Sequence, residues 1–449
     1  MHEAIPAEIV TRVLALAEEL TTWARAHRDA SLAEQEAAVL GAVRVALPDL
    51  LSALVRLSTS ALDPALAGVR RRCPRCGTRA RVDQWRIRRV RTVCGPIAIA
   101  RPWYRCRSCH RGFSPVDACL DLAPRARLSA TRRGWVVRLG ATTTFREAAV
   151  LLEELTGLAV AADTMRAQSE GCGTALADAE DGAVAQVLAT QEPAATVEPA
   201  PGALLVEADG VMVRYRDGWH EVKVGLVGGV VDGALQAPSY VAAREDVDHF
   251  GPRLLTEAAR RGALEVVGGE GPLGGRNLAV LRPVHVVADG APWIGNLAAD
   301  HFGARTEVVD FYHATAHLWE VARALHGADT PEASTWAHAR RHELYKHGVV
   351  PVRAALARAR APTAAAAETL RRERGYFATN AARMDYPTIR RQGLPIGSGA
   401  VESSAKHVIQ LRMKRAGQRW SDRGGRAMLA LRASYASGRA PLLPAKCLH

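Results

Sequence analysis

Three acidic residues set beside glycines and four cysteines in two pairs are the residues here whose types and spacing can do chemistry. The densest stretch is Gly393-Leu-Pro-Ile-Gly-Ser-Gly-Ala-Val-Glu402-Ser-Ser-Ala-Lys406. Pro395 and the glycines predict a tight loop, and Ala400 opens a helical pattern through Val401, Val408, Ile409 and Leu411. Glu402 then falls in the first helical turn, where a carboxylate can be held still. Lys406, Arg412, Lys414 and Arg415 follow, so the pattern sets a metal-binding acid beside a phosphate-binding helix. A first-turn glutamate is also what the helix dipole favours, so the case for Glu402 rests on its partners upstream.

Those partners are Asp209, in Leu204-Leu-Val-Glu-Ala-Asp-Gly, and Asp289, in Val284-His-Val-Val-Ala-Asp-Gly. Asp-Gly is a turn dipeptide, and Asp217 and Asp232 read as hairpin turns. Asp289 differs because a helical pattern follows it, so it ends a strand in an α/β layer. Asp209 differs because Asp217-Gly218 supplies the turn of its strand. Glu207 shares a face with Asp209 by strand alternation, and spacing does not exclude it; the repeated Ala-Asp-Gly context favours Asp209. In an RNase H-like sheet the first and fourth strands are neighbours, so Asp209 and Asp289 would converge and a later helix could add Glu402. Three carboxylates on a rigid scaffold hold two Mg²⁺ ions, which activate a water or 3′-hydroxyl and stabilise the leaving oxygen of a phosphodiester. Asp310-Phe-Tyr-His313-Ala-Thr-Ala-His317 is a second cluster. His313 and His317 are spaced to share a metal on a helix, but without a third soft ligand nearby a structural or supporting hydrogen-bond role is the preferred reading, with catalytic support by Asp310 and His313 as the alternative.

Cys73-Pro-Arg-Cys76 and Cys106-Arg-Ser-Cys109 are separated by 29 residues. Each CxxC turn supplies two of the four soft ligands of a tetrahedral Zn²⁺. Between them Gln84–Val93 and Ile97–Tyr104 read as strands around Cys94-Gly95-Pro96, a zinc ribbon with an enlarged hairpin. Cys94, Cys119, Cys172 and Cys447 are isolated and read as ordinary small residues. The chain has 449 residues and a net charge of +13. Between Arg70 and Arg111 stand fourteen arginines and one acid, so the whole excess lies in the cysteine module and points to a polyanion. Trp85, Trp103 and Tyr104 offer planes for base stacking or packing for the hairpin, with equal weight.

The elements that must position these groups predict a multidomain α/β protein. Residues 1–68 read as a helical region, with Pro48 beginning a new helix, and 69–118 as the basic zinc-ribbon-like module. Residues 119–183 contain a helix-turn-helix pattern, with a Thr144/Glu147 capping box, a turn at Thr156-Gly157-Leu158 and a second helix from Ala162. An Ala/Pro/Glu/Thr-rich linker is predicted at 184–202. Residues 203–310 predict three antiparallel strands and then alternating helix and strand, the first part of an RNase H-like domain. A helical insertion at 311–392, the Glu402 helix region at 393–437 and a tail at 438–449 complete the chain. No apolar run reads as long enough to span a membrane and no signal pattern opens the chain, so the expectation is a soluble cytoplasmic protein with no membrane partner.

With those residues in view, the chain from about Cys73 to Leu431 resembles the DDE transposases of bacterial insertion sequences, in the Kra-type group related to the Mutator-like superfamily. The resemblance is carried by the two cysteine knuckles, Asp209-Gly, Asp289-Gly-Ala-Pro-Trp-Ile, Asp310-Phe-Tyr-His313, Asn380-Ala-Ala-Arg-Met-Asp-Tyr386 and Ile396-Gly-Ser-Gly-Ala-Val-Glu402-Ser. It implies an RNase H-like domain with Asp209, Asp289 and Glu402 as an acidic triad, binding two Mg²⁺ (Mn²⁺ able to substitute) for strand cleavage and strand transfer. It aligns Asp310 and His313 with the family's Asp/Cys-x-x-His motif and gives His313 a catalytic part. It implies structural Zn²⁺ on the four cysteines, double-stranded DNA partners (the element's terminal inverted repeats and the target) and a homo-oligomer on DNA. The alternatives are a non-catalytic DNA-binding regulator of this architecture and a nuclease that cleaves without strand transfer.

Overall fold

The computed structural model describes residues 7–63, 70–190, 192, 198–266 and 279–439. The chain is mixed α/β and divides between Cys172 and Gly173 into two compact units.

The first unit opens with α1 (Ala7–Ala26) and α2 (Leu32–Thr59), the latter started by a Ser31/Glu34 capping box. Pro48 does not begin a new helix; it lies inside α2. A proline removes one helical N–H and clashes with the preceding turn. Here tertiary contact overrides that local preference: Ala42, Ala46 and Ala53 are buried, and the Pro48 ring lies against the hairpin turn, where a Cβ on Gly95 would fall 2.7 Å from Pro48 Cγ. The segment Leu32–Leu62 also holds an 18-residue window with a mean hydropathy of 1.8, enough to cross a membrane by length and composition. That corrects the expectation of no such run. Arg44 and Asp49 interrupt the segment in sequence and hide its length.

Strands β1 (Arg70–Arg72), β2 (Arg79–Thr92), β3 (Gly95–Arg105) and β4 (Gly112–Phe113) form an antiparallel sheet in that order. Short helix α3 (Pro115–Cys119) follows, then α4 (Ala130–Thr142) and α5 (Phe145–Thr156). The anticipated capping box of α5 is present, with Thr144 and Glu147 satisfying each other's backbone N–H groups. Gly157 ends the helix in the left-handed conformation, φ 71°. Helix α6 (Ala162–Thr190) starts where expected but runs on across the division between the units. The first part of the 184–202 linker is therefore helical. Its alanines are strong helix formers, and Glu198 and Ala200 then donate to the Arg260 and Arg261 carbonyls.

The second unit is built on a five-stranded sheet. Its strands are β5 (Ala203–Tyr215), β6 (Gly218–Val231), β7 (Ala234–Ala243), β10 (Val284–Ala288) and β11 (Arg305–Val309), in the order β11-β10-β5-β6-β7. β5, β6 and β7 are antiparallel neighbours, while β10 runs parallel to both β5 and β11. The β6–β7 turn puts Asp232 and Gly233 at φ 50° and 76°, the left-handed pair that a two-residue hairpin needs. Helices α7 (Val247–Arg260) and α8 (Pro292–His301) cover one face, packing Phe250, Leu254, Ile294 and Leu297 on Leu204, Val206 and Val286. The other face carries Leu205, Val287 and Val309 under a helical layer. That layer holds α9 (Phe311–His326), α10 (Pro331–His347), α11 (Val349–Arg358), α12 (Ala364–Thr379) and α13 (Tyr386–Arg391). The stretch 311–392 is thus mostly helical, as its pattern reads. A short pair, β8 (Leu264–Val266) with β9 (Ala279–Leu281), was not anticipated, since three-residue strands carry too little periodicity to read. Helix α14 (Gly399–Ser404) continues through a π-helical turn (Ala405–Gln410) to Met413, and α15 (Asp422–Ala436) ends the described fold. The expected tail lies outside the described residues apart from its first two.

Candidate functional site

The acids gather on one face of the central sheet because of period-two alternation. Leu204, Val206 and Ala208 of β5 face α7 and α8, so Glu207 and Asp209 point the other way. Asp289 follows the last residue of β10, the parallel neighbour of β5. Its Oδ1 accepts the Ala291 N–H at 2.8 Å, ahead of α8, and Gly290 turns the chain at φ 96°. Asp209 Oδ1 accepts the Gly210 N–H at 2.7 Å. Glu402 stands exposed in the first turn of α14.

These carboxylates share one electrostatic environment. Asp209 is raised above the ordinary aspartate value, first by burial, then by the charges of Asp289, Glu402 and Glu221, while the Gly210 bond opposes the shift. Glu207 is a different kind of acid. It is buried and is pushed up to about 8, chiefly by burial, against the Val401 N–H bond and with Asp310 and Glu402 adding to the rise. Its Oε2 accepts the Val401 N–H at 2.8 Å, and among the described residues its Oε1 has no partner. Glu207 therefore anchors the start of the Glu402 helix, and Asp209 is the acid of β5 with an oxygen free to face solvent.

The loop before Glu402 is clamped from below. Asp310 is buried, caps α9 by accepting the His313 N–H at 2.6 Å, and accepts both the N–H and the hydroxyl of Ser398 with its other oxygen. Phe311 donates its N–H to the Ile396 carbonyl at 2.8 Å, and buried His285 bonds the Pro395 carbonyl through Nε2 at 2.7 Å. A Cβ on Gly397 would lie 2.9 Å from the Tyr312 ring, which accounts for a glycine at that point. Asp310 is thus a positioning residue. His313 and His317 do not form a metal pair. His317 Nδ1 bonds Glu373 Oε2 at 2.6 Å and its ring stacks on Tyr376 with centroids 3.7 Å apart, while the exposed His313 ring meets His317 edge-on. Burial alone would raise Glu373; the hydrogen bonds from His317 and Arg372 outweigh it and hold the acid below its usual range. Sequence reasoning missed Glu373, Tyr376, His285 and the anchoring role of Glu207. An Asp directly before a helical run was the one available signal, an N-cap signature that Asp310 fulfils.

The four cysteines converge as expected. Cys73 and Cys109 Sγ atoms are 3.5 Å apart, as are those of Cys76 and Cys106, and all four lie within 4.8 Å of one another. A tetrahedron of about 2.3 Å Zn–S bonds has edges of about 3.8 Å, so the cluster can hold a structural metal such as zinc. Hydrogen bonds from the hydroxyl and N–H of Thr78, then from Cys106, draw Cys76 down to about 6. Cys109 receives an Arg111 N–H bond, yet burial and the neighbouring thiols push it up to about 11. Crowding of incipient thiolates is what a bound cation relieves. Among the described residues this is the one such group that tight; the three carboxylates are spread more widely.

The basic hairpin sorts its own residues. Arg88 and Arg101 are buried on Asp117 at 3.1 and 3.0 Å, so they are structural. Arg79, Arg81, Arg89, Arg91 and Arg105 are exposed. Tyr104 is fully buried and stacks on Phe113; Trp103 lies under Arg86 and Arg101; Trp85 is the exposed plane. Compared with models of known protein families and with curated proteins, the chain matches none.

Proposed function

We propose that the chain is a DDE-type DNA transposase, with an RNase H-like catalytic unit and amino-terminal DNA-gripping modules. The observation that carries this reading is the sheet order. The order β11-β10-β5-β6-β7, with β5, β6 and β7 antiparallel and β10 parallel to β5 and β11, supports an RNase H-like reading, with Asp209 on β5 and Asp289 just past the end of neighbouring β10. Asp209 is raised first by burial and then by the charges of Asp289 and Glu402, and this gathering of carboxylates supports a cation site of hard oxygen donors, the chemistry of Mg²⁺. Asp209, Asp289 and Glu402 would hold the ions. Two ions about 3.5–4 Å apart call for a wider spread of ligands than the cysteine cluster has. When bound, the ions would activate the attacking oxygen and supply charge for the leaving one. The chain's own part is to fix the acids: Glu207 holds the α14 terminus, Asp310 and His285 hold the loop before it, and Ala291 and Gly210 each orient one aspartate oxygen. In this reading α5, Gly157 and α6 form the helix-turn-helix and the cysteine cluster a zinc ribbon, with Trp85 and the exposed arginines meeting phosphates and bases of double-stranded DNA. In this reading the exposed His313 ring would take its catalytic part by meeting substrate.

The test is Mg²⁺-dependent cleavage of DNA carrying the gene's own flanking sequence, with the native chain and Glu402→Gln. Cleavage by the native chain, lost in the variant with DNA binding retained, is the expected result. Equal cleavage by both overturns the triad. Specific binding without cleavage by either makes the chain a DNA-binding regulator, and cleaved ends that never join target DNA make it a nuclease.

A further inference from the structure

The first two helices expose a surface that the function above does not use. No residue of α1 is buried. Along α2, Leu40, Val43, Leu47, Leu50, Leu54 and Leu57 recur at alternating three- and four-residue steps. That is a strict heptad seam over two and a half repeats, the spacing by which one helix receives the side chains of another. None of the six is buried, and Leu40, Leu54 and Leu57 are each more than half exposed, at 52%, 52% and 51%. The helix's own buried face is elsewhere, at Ala42, Ala46 and Ala53, while Leu51 and Val55 pack towards Val90, Ile97 and Ile99 of the hairpin. Among the described residues, no helix therefore fills the seam.

Charge decides between partners. Residues 7–62 carry seven acids and five basic residues, in a chain whose total is +13. A slightly acidic segment is repelled by DNA phosphates and by the anionic lipid surface that basic amphipathic helices seek. Insertion across a bilayer would bury Arg44 and Asp49, at about 2.5–3.5 kcal/mol for each such charge at the helix centre. The seam is also complementary to itself. Set antiparallel about a point between Pro48 and Asp49, Leu40 meets Leu57, Val43 meets Leu54 and Leu47 meets Leu50 of a second copy, an isologous contact. The 28-residue α2 spans about 42 Å; at roughly 10 Å of width it offers on the order of 400 Å² per copy, about half of what each partner buries in a standard stable interface.

We infer that α2 is the dimerisation element of this protein, pairing antiparallel with α2 of a second copy through the Leu40–Leu57 heptad seam. The test is the mass of the full chain in solution at high salt without DNA, by light scattering after gel filtration. The native chain is expected at twice 48.2 kDa. Leu40→Glu, which replaces an exposed side chain and leaves the fold intact by circular dichroism, is expected at the monomer mass. Because Leu40 meets Leu57 of the other copy, the double variant Leu40→Glu/Leu57→Lys is expected to regain the dimer. A native monomer under these conditions overturns the inference. So does a Leu40→Glu chain that stays dimeric, or a double variant that stays monomeric, since a parallel seam would set the two introduced glutamates against each other. Flotation of the native chain with neutral phosphatidylcholine vesicles would assign the seam to a bilayer, and dimers formed only on added DNA would assign pairing to the nucleic acid; either result overturns it.

Discussion

The cysteine cluster and the carboxylate cluster are both gatherings of ionisable side chains, yet they are built in opposite ways. The cysteines sit on two tight knuckles, each closed by its own backbone: Cys73 accepts from Gly77 and donates to Thr78, and Cys106 donates to Arg111. The acids come from segments 80 and 113 residues apart and need a supporting shell to hold them. The first centre is local and tight. The second is long-range, looser, and depends on Glu207, Asp310 and His285 beneath it. A ligand set closed by its own turns tolerates change elsewhere, whereas a set assembled across a fold fails when its supports do.

The largest effect that would sharpen this contrast is at the cysteines. Cys106→Ser removes a buried cysteine of the cluster, and structural zinc in small modules contributes on the order of 10 kcal/mol to folding. The variant is expected to lose its bound zinc, read by elemental analysis, and to expose the β2–β3 hairpin to protease at Arg79–Arg105. The second unit should keep its own melting transition. A single shared transition that collapses with zinc loss would break the comparison.

Next is the clamp. Asp310→Ala strips the acceptor from Ser398 and the cap from α9 at once. Loss of a helix cap and of a buried charged acceptor together amounts to about 2–4 kcal/mol. Denaturant unfolding should show that loss, and DNA cleavage should fall with a raised Mg²⁺ requirement, because the loop leading to Glu402 is freed. Unchanged Mg²⁺ dependence would mean that Asp310 serves stability alone.

Glu207 gives a smaller, pH-dependent effect. Its folded value, about 8, lies above the unfolded 4.5. A raised acid contributes fully below pH 4.5, and that contribution is lost as pH rises through 8. Glu207→Gln keeps an acceptor for Val401 and cannot ionise. The variant should match the native chain near pH 5 and exceed it near pH 8, by an amount that grows to at most about 4 kcal/mol. Parallel melting-temperature profiles across that range would show that Glu207 does not titrate with folding.

How much of this was legible follows the same division. Both CxxC pairs, the hairpin between them and the long strands of the second unit stand in the sequence because turns, period-two alternation and metal spacing are local signals. Asp232-Gly233 and Thr144/Glu147 folded as their residue types dictate. The errors lie where tertiary contact overrides propensity, as at Pro48 inside α2, or where one composition serves two states, as in the alanine-rich start of the 184–202 segment. The support of the acidic site was illegible for a physical reason. Glu207 with Val401 and Asp310 with Ser398 pair residues 194 and 88 positions apart, and no local pattern encodes such a partner. Of the two β5 acids, burial rather than spacing separates Glu207 from Asp209.

The smallest expected effect tests the carboxylates as a repelling set. Asp209 is raised partly by Asp289 and Glu402, so its ionised form pays for their company in the absence of a cation. Asp209→Asn removes one charge and keeps the Gly210 bond, since the side-chain carbonyl still accepts. In chelator at neutral pH the variant should melt slightly above the native chain, by an amount corresponding to about 0.5–1 kcal/mol for a half-exposed group. In Mg²⁺ the order should reverse, because only the native set gains from the ion. The same variant should cleave no DNA. A residue placed for stability would show the opposite pattern in chelator, so a lower melting temperature there would remove Asp209 from the site and return Glu207 to it.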